Sequence, residues 1–283
     1  MTHPYDQITL VTVAYNSAPV LPTLFASIPS GVEVIVVDNA SMDEGAAIAR
    51  AAGATVIDMA RNAGFGSANN AGAMAASRPY VYFANPDSIL QPGCLEALHA
   101  RLCSDADIAA LNPAFYLSNG TQQFKRRSPI LPRHKWMRRT HGAASGPVNV
   151  LLGAGIFLSR DMFWRAGGFD ENIFLYHEDD DLSLRLAHHG TLYLETRAQV
   201  IHHQGNSSAR NPKTGRIKAF YQAQSKRYVF KKYKIRAGNL RLILEGAGKI
   251  LSPLILFSPW RRAKSFGFIY GLYCSYFKIQ SSD

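Results

Sequence analysis

Apolar positions along the first half of the chain fall into two alternating rhythms. Ile8-Thr9-Leu10-Val11-Thr12-Val13 is a β-branched run of the kind that forms a buried strand. Ala14-Tyr15-Asn16-Ser17 breaks it. Leu21, Leu24, Phe25 and Ile28 then recur at helical spacing behind Pro19. Val32 to Val37 reads as a second strand, Glu44 to Ala52 as a helix and Thr55-Val56-Ile57 as a third strand. This alternation predicts an α/β fold with a mostly parallel central sheet flanked by helices. Tyr80 to Ala84 and Ile108 to Tyr116 read as further strands, with a helix from Pro92 to Cys103 between them. Val148 to Leu158 looks like one strand-like run, followed by a helix over Asp161 to Ala166. A helical segment from Leu182 to His189 precedes two short strands, Leu192-Tyr193-Leu194 and Gln199-Val200-Ile201.

Parallel sheets bind ligands beyond the carboxyl ends of their strands, so the residues there are the candidates. Asp38 ends the second strand, where it either caps a turn or hydrogen-bonds a nucleotide. Arg61 to Gly72 is a glycine-rich loop feeding a small-residue helix, Ala68 to Ala76, whose N-terminus suits phosphate. Its spacing fits neither a P-loop nor a clean dinucleotide fingerprint. Asn85-Pro86-Asp87 follows a strand, either as a plain turn or as a device that projects Asp87. Gly153-Ala154-Gly155 inside an apolar run predicts that something approaches the backbone closely. His202 ends a strand and is a structural histidine or a ligand. Glu178-Asp179-Asp180-Asp181 places four carboxylates in succession. Such crowding marks an acidic helix N-terminus, a metal site or a proton-transfer site. Lys125 to Gly146, with Pro129, Pro132, Trp136 and the pair Arg138-Arg139, reads as a mobile loop that closes over substrate or as a solvated excursion.

Composition narrows the class. The chain has 283 residues, 47% hydrophobic and 18% charged, enough for one large globular domain or one domain with an appendage. Cys94, Cys103 and Cys274 match no zinc or redox spacing and suggest reduced thiols. Met1 to Gln7 lacks the pattern of a signal peptide, so a cytoplasmic location is expected. The net charge of +11 is uneven: residues 209–283 hold 16 Lys and Arg against 2 acids, and residues 1–208 are net −3. The expected domains are therefore 1–208 and a basic, aromatic, helical extension at 209–283. Within that extension no apolar run reaches the roughly 18 residues of a spanning helix. Basic and aromatic residues coincide there, which suggests contact with an anionic membrane surface, the plainer alternative being a helical cap. A nucleic-acid binder would carry its basic residues near an aromatic cleft, and here they lie in the tail.

Six motifs in order resemble those of family 2 glycosyltransferases, and bacterial rhamnosyltransferase-type members most closely. They are Val11 to Ser17, Val37 to Ser41, Arg61-Asn62 with Gly64-Phe65-Gly66 and Asn69-Asn70, Asn85-Pro86-Asp87, Gly167 to Glu171, and Glu178 to Leu182. The resemblance implies the GT-A fold, with a Rossmann-like nucleotide-binding half and an acceptor half. It also implies inverting transfer from a nucleotide-sugar donor, plausibly dTDP-rhamnose, to a glycan or lipid-linked acceptor at the inner face of the cytoplasmic membrane. By the same resemblance Asp38, Arg61, Asn62, Gly64, Phe65 and Asn69 bind the nucleotide. Asn85 stands where many members have an aspartate and binds ribose. Asp87 and His202 hold a divalent Mg2+ or Mn2+ ion with the diphosphate. Asp179 or its neighbour Asp180 is the catalytic base, and Gly153, Ala154, Gly155 and Glu178 line the acceptor. Two other readings stand beside it: a non-catalytic nucleotide-sugar-binding scaffold, which the intact acid cluster opposes, and a dinucleotide-dependent oxidoreductase, which the glycine spacing opposes.

Overall fold

The structure is a computed structural model that describes residues 3–138, 140, 144–202, 211–251, 253–255 and 257–277. The chain divides into two compact units, Met1–Asp170 with Asp179–Ser207, and Glu171–Glu178 with Ser208–Asp283. The expected border at residue 208 lies outside the described residues, as does Arg139. The second unit also takes in residues 171–178, because Phe174 stacks on Tyr221 with ring centroids 3.8 Å apart.

The first unit is built on one ten-stranded sheet. Its strands are β1 (Ile8–Ala14), β2 (Glu33–Asp38), β3 (Thr55–Asp58), β4 (Tyr80–Ala84), β5 (Ser88–Leu90), β6 (Ile108–Tyr116), β7 (Gln122–Gln123), β8 (Gly146–Val148), β9 (Gly155–Ser159) and β10 (Thr191–His202). Their order is β3-β2-β1-β4-β9-β6-β10-β5, with β7 beside β6 and β8 beside β10. The helices are α1 (Leu21–Ser27), α2 (Gly45–Ala51), α3 (Phe65–Ala75), α4 (Cys94–Ser104), α5 (Arg160–Arg165) and α6 (Glu178–Leu186). Every residue of β1 is buried, as its unbroken run of apolar residues and threonines requires of a strand covered on both faces. Leu10 packs with Leu21, Leu24, Leu95 and Leu98, whereas Val11 and Val13 join Ala68, Phe163, Leu182 and Leu186 in a second core cluster. The alternation of the strand thus splits the core into two layers, each fully buried leucine contributing about 1.5–3 kcal/mol.

The α/β class is as expected, and the parallel pairing has a definite extent. β3-β2-β1-β4 are parallel throughout and β6 pairs parallel with β10, whereas β5, β7, β8 and β9 join antiparallel. β9 enters from a loop beside the C-terminal end of β4 and runs back along it, which needs no crossover helix. The run from Val148 to Leu158 is therefore two strands and a turn, because the Asn112 side chain binds Leu152 on both its N–H, at 2.6 Å, and its carbonyl, at 3.1 Å. The two short strands expected after α6 are one, β10, whose register against β6 slips between Glu195 and Gln199.

In the second unit α7 (Pro212–Lys232) lies along α9 (Pro259–Phe277), and α8 (Gly238–Leu251) joins them. Pro212 follows the cap Asn211, whose side chain accepts from the Thr214 N–H at 2.9 Å. Gly267 and Gly271 bring two backbones into contact: a Cβ on them would lie 2.1 Å from Arg216 O and 2.3 Å from Phe220 O. No helix among the described residues is long and apolar enough to cross a membrane.

Candidate active site

The C-terminal ends of β1, β2, β4, β6 and β10 lie along one edge of the sheet, because these strands run parallel or are linked through antiparallel β9. The strand order reverses between β2 and β4 on either side of β1, the place where open α/β sheets form a binding crevice. Asp38 ends β2 there, buried, with Oδ2 accepting from the Ser41 N–H at 3.3 Å. Its Oδ1, Thr12 Oγ1 and Asn69 Oδ1 are buried without a hydrogen-bond partner. Unsatisfied buried polar atoms are expensive, and a polar ligand at the C-terminal end of β2 would satisfy Asp38 Oδ1.

The glycine-rich loop is fastened to this edge by Asn39. Its Oδ1 accepts from the Ala63 N–H at 2.9 Å, and its Nδ2 donates to Asn62 Oδ1 at 3.0 Å and to Gly64 O at 3.3 Å. Gly64 precedes α3 with φ of +89°, a left-handed conformation that favours glycine. Helix α3 begins at Phe65 rather than at Ala68, and Phe65 packs edge-on against Phe169 with centroids 6.2 Å apart. Asn70 clips the same segment, exchanging two 2.9 Å hydrogen bonds with the backbone of Phe169. Arg61 is exposed at the loop's entrance.

Beyond β4, the structure joins two predicted residues that lie far apart in the chain. β5 pairs antiparallel with β10 so that Ser88 faces His202. This sets His202 Nε2 3.2 Å from Asp87 Oδ1 and 3.3 Å from Asn85 Nδ2. The other ring nitrogen, Nδ1, lies 3.3 Å from Gln123 Oε1. With the ring proton on Nδ1 that acceptor is satisfied and the Nε2 lone pair faces Asp87, and with the proton on Nε2 the ring donates to Asp87 directly. Asp87 Oδ1 makes no other hydrogen bond and is buried. A carboxylate oxygen and an imidazole nitrogen this close are bridged by a ring proton or by a bound cation, and an N,O donor pair of this kind suits a divalent ion. No group of three or more His, Cys, Asp and Glu is placed to hold a metal ion among the described residues. The pair would therefore supply part of the coordination, with phosphate oxygens and water completing it, the usual arrangement for magnesium.

The four acids at the start of α6 separate by depth. Asp181 is fully buried and takes Arg185 Nε at 2.9 Å and Nη2 at 2.7 Å, an ion pair within the helix. The side chains of Asp179 and Asp180 are 14% and 3% exposed, which makes Asp179 the accessible one. Asp179 Oδ2 accepts from the Gly153 N–H at 2.9 Å and its Oδ1 from the Asp180 N–H at 2.8 Å. The close approach expected at Gly153 is made by Asp179 itself, whose Cβ would lie 3.0 Å from an added methyl. Gly155 is closed off in the same way, since an added Cβ would lie 2.4 Å from Tyr82 Oη and 2.8 Å from Phe115 Cζ, and Ala154 is buried with its carbonyl accepting from the Asn85 N–H at 3.0 Å. These three residues carry the site's framework. Glu178 is buried and belongs to the second unit, directly after Tyr176 and His177, both at positive φ.

Sequence reading missed Lys125. Its Nζ lies 2.6 Å from Asp179 Oδ2 and 2.9 Å from Asp180 Oδ1. Burial works to lower its pKa, but the charges of Asp179 and Asp180 outweigh burial and hold the ammonium above its ordinary value. The stretch expected as a mobile or solvated loop is anchored at this end, and Ser128 and Ile130 within it are also buried. The one available signal was a lysine two residues past the Gln122–Gln123 turn strand, and β7 is too short to read from sequence.

A family model, Glycosyl transferase family 2, matches residues 9–167. An N-acetylglucosaminyl-diphospho-decaprenol L-rhamnosyltransferase of Mycobacterium tuberculosis is 28% identical over 298 residues, covering 92% of this chain and 96% of that protein. An uncharacterized glycosyltransferase of the same organism is 39% identical over 36% of the chain and 47% of its own length. Among solved structures, S. aureus TarS 1-349 aligns over 98% of this chain and 93% of its own with a TM-score of 0.57 at 14% identity. TarS has also been solved with UDP-GlcNAc, at a TM-score of 0.55, 15% identity and the same coverage. GalNAc-T7 with UDP, GalNAc and Mn2+ gives 0.58 at 14% identity over 97% of this chain and 57% of that one.

Proposed function

The chain belongs to glycosyl transferase family 2 and has the GT-A fold, and on that premise we propose a metal-dependent, inverting transfer of rhamnose from dTDP-rhamnose to a hydroxyl of a lipid-linked glycan. The observation that carries the reading is the Asp87–His202 pair, a buried carboxylate oxygen 3.2 Å from an imidazole nitrogen beside the nucleotide edge of the sheet. The rhamnosyl donor and the lipid-linked acceptor come from the mycobacterial relative, which spans nearly the whole chain.

In this reading Asp38 Oδ1 receives a hydrogen bond from the base, and Arg61 with Asn62, Gly64, Phe65 and Asn69 forms the wall against which the nucleotide lies. Asn85 reaches the ribose. A magnesium or manganese ion held by Asp87 and His202 would neutralise charge gathering on the diphosphate leaving group. Asp179 accepts the proton of the acceptor hydroxyl as that oxygen attacks, in a single displacement that inverts the anomeric carbon. Asp180 donates its backbone N–H to Asp179 and shares Lys125 with it, so it positions the base. Gly153 holds the same base from the other side through its N–H. The site of action is the inner face of the cytoplasmic membrane, where a lipid-linked acceptor is presented.

Calorimetry of dTDP-rhamnose binding with manganese, with magnesium and with chelator tests the metal claim. Binding that needs the ion in the native chain, and is lost in Asp87→Ala with the fold intact, is expected. Equal binding and transfer in chelator overturns the metal-dependent reading.

A further inference from the structure

We propose that the second unit rests on the surface of a bilayer containing anionic lipids, through two apolar stripes that α8 and α9 leave uncovered. The proposal rests on the lipid-linked acceptor reading and identifies the surface that meets the lipid.

Helix α8 is amphipathic with its apolar stripe turned outward. Gly238, Leu242 and Gly246 are its buried residues, one turn apart. On the far side, Leu240, Ile243, Leu244, Ile250 and Leu251 follow at helical spacing, and all are exposed, Leu244 at 61% and Leu251 at 80%. Helix α9 repeats the pattern. Phe268 and Leu272 are buried, whereas Phe266, Tyr270, Tyr273 and Phe277 recur every three or four residues and are exposed. Phe257, 84% exposed, lies between the two helices. Nine large apolar side chains on two stripes are not scattered surface residues; sets of this kind mark a surface that meets another apolar phase.

Charge selects the occupant. Between residues 211 and 277 the single acid is Glu245, and Lys226 at 2.6 Å and Lys249 at 3.1 Å bind it. Exposed Lys234, Arg236 and Arg241 stand at the start of α8, and exposed Arg261 and Arg262 at the start of α9. Apolar and aromatic stripes with basic groups at their ends are the composition of interfacial helices, whose bodies enter the acyl boundary while cations meet anionic head groups. Neither helix is apolar enough to span, so the unit lies on the membrane.

The test uses the full chain and vesicles of phosphatidylglycerol with phosphatidylcholine, against phosphatidylcholine alone. The pairs Leu244→Ser with Leu251→Ser, and Phe266→Ser with Tyr273→Ser, change exposed residues, and circular dichroism checks their folding. Each pair is expected to lower vesicle partitioning at least about tenfold. Arg261→Gln with Arg262→Gln should weaken binding to the anionic vesicles only. Transfer to a water-soluble short-chain acceptor should survive in all three pairs while transfer to a vesicle-embedded acceptor falls. Absence of wild-type binding to either vesicle overturns the proposal, as does full binding in both apolar pairs. So does a dimer in light scattering that the serine pairs disperse without changing vesicle binding, since a second copy would then cover the stripes. A wild type that binds vesicles but transfers sugar to neither acceptor overturns the functional reading and leaves the surface standing.

Discussion

Replacing Lys125 by methionine removes one ammonium from between two adjacent carboxylates. The lysine lies 2.6 Å from Asp179 and 2.9 Å from Asp180, and the three side chains are 17%, 14% and 3% exposed. Removing one member of a buried ion pair costs about 3–5 kcal/mol, because the partner charge stays buried. Asp179 keeps two backbone N–H donors and some access to water, so the lower end, about 3 kcal/mol, applies here. At roughly 2–4 °C per kcal/mol for a chain of this size, the melting temperature should fall by about 6–12 °C. The sign with pH also follows. The folded-state pKa of Lys125 lies above its ordinary 10.5, so its contribution is complete below that pH and disappears only as pH rises through the higher folded value. The deficit of the methionine variant is therefore constant across neutral pH. Urea titration and steady-state transfer kinetics measure the two effects. Lys125→Met should lose about a hundredfold in kcat from a misplaced base, Lys125→Arg should retain most of both stability and rate, and adding Asp180→Asn to the methionine variant should return part of the stability. A methionine variant within about 0.5 kcal/mol of the parent and with unchanged kcat refutes the assignment.

Three further outcomes follow from the same structure. Burial works to raise the pKa of Glu245, but Lys226 and Lys249 outweigh it and hold the carboxyl below its ordinary value of 4.5. Glu245→Gln should cost about 1 kcal/mol at neutral pH in urea titrations, and the difference should vanish as pH falls through the depressed folded value. Gly271→Ala drives a methyl to 2.3 Å from the Phe220 carbonyl, and backbone cannot rotate away as a side chain can. A loss of about 1–3 kcal/mol is expected in thermal melts, and an unchanged melt contradicts the close helix packing. Gly155→Ala presses on Tyr82 and Phe115 beneath the Asn85 turn, so it should weaken donor binding by calorimetry as well as stability, and a variant with intact donor affinity contradicts that coupling.

The parts of the site that were legible in the sequence sit at strand ends. Asp38 and Asn85-Pro86-Asp87 follow apolar runs of strand length, and a parallel sheet brings such ends to one edge whatever the details of packing. The Asp87–His202 contact needed more, because it depends on β5 pairing antiparallel with the last residues of β10. No local pattern encodes that register, and β5 has only three residues. The four acids of α6 read as a cluster, yet their separation into an ion pair with Arg185 and a pair sharing Lys125 is set by which side of the first turn each occupies. Lys125 follows Phe124 at the start of a basic stretch and carries no periodic signal. In the tail, composition revealed basic and aromatic character, but only the packing of α9 against α7 through Gly267 and Gly271 shows which aromatics remain outside.

The most direct test of the account is sugar transfer by Asp179→Asn, measured with radiolabelled dTDP-rhamnose and a lipid-linked acceptor, alongside donor binding by calorimetry. Asparagine keeps the size of the side chain and an acceptor for the Gly153 N–H, and loses the ability to take a proton. The account predicts unchanged donor affinity with kcat lowered about 10²–10⁴-fold. Full turnover in the variant would contradict the role of Asp179 as the base.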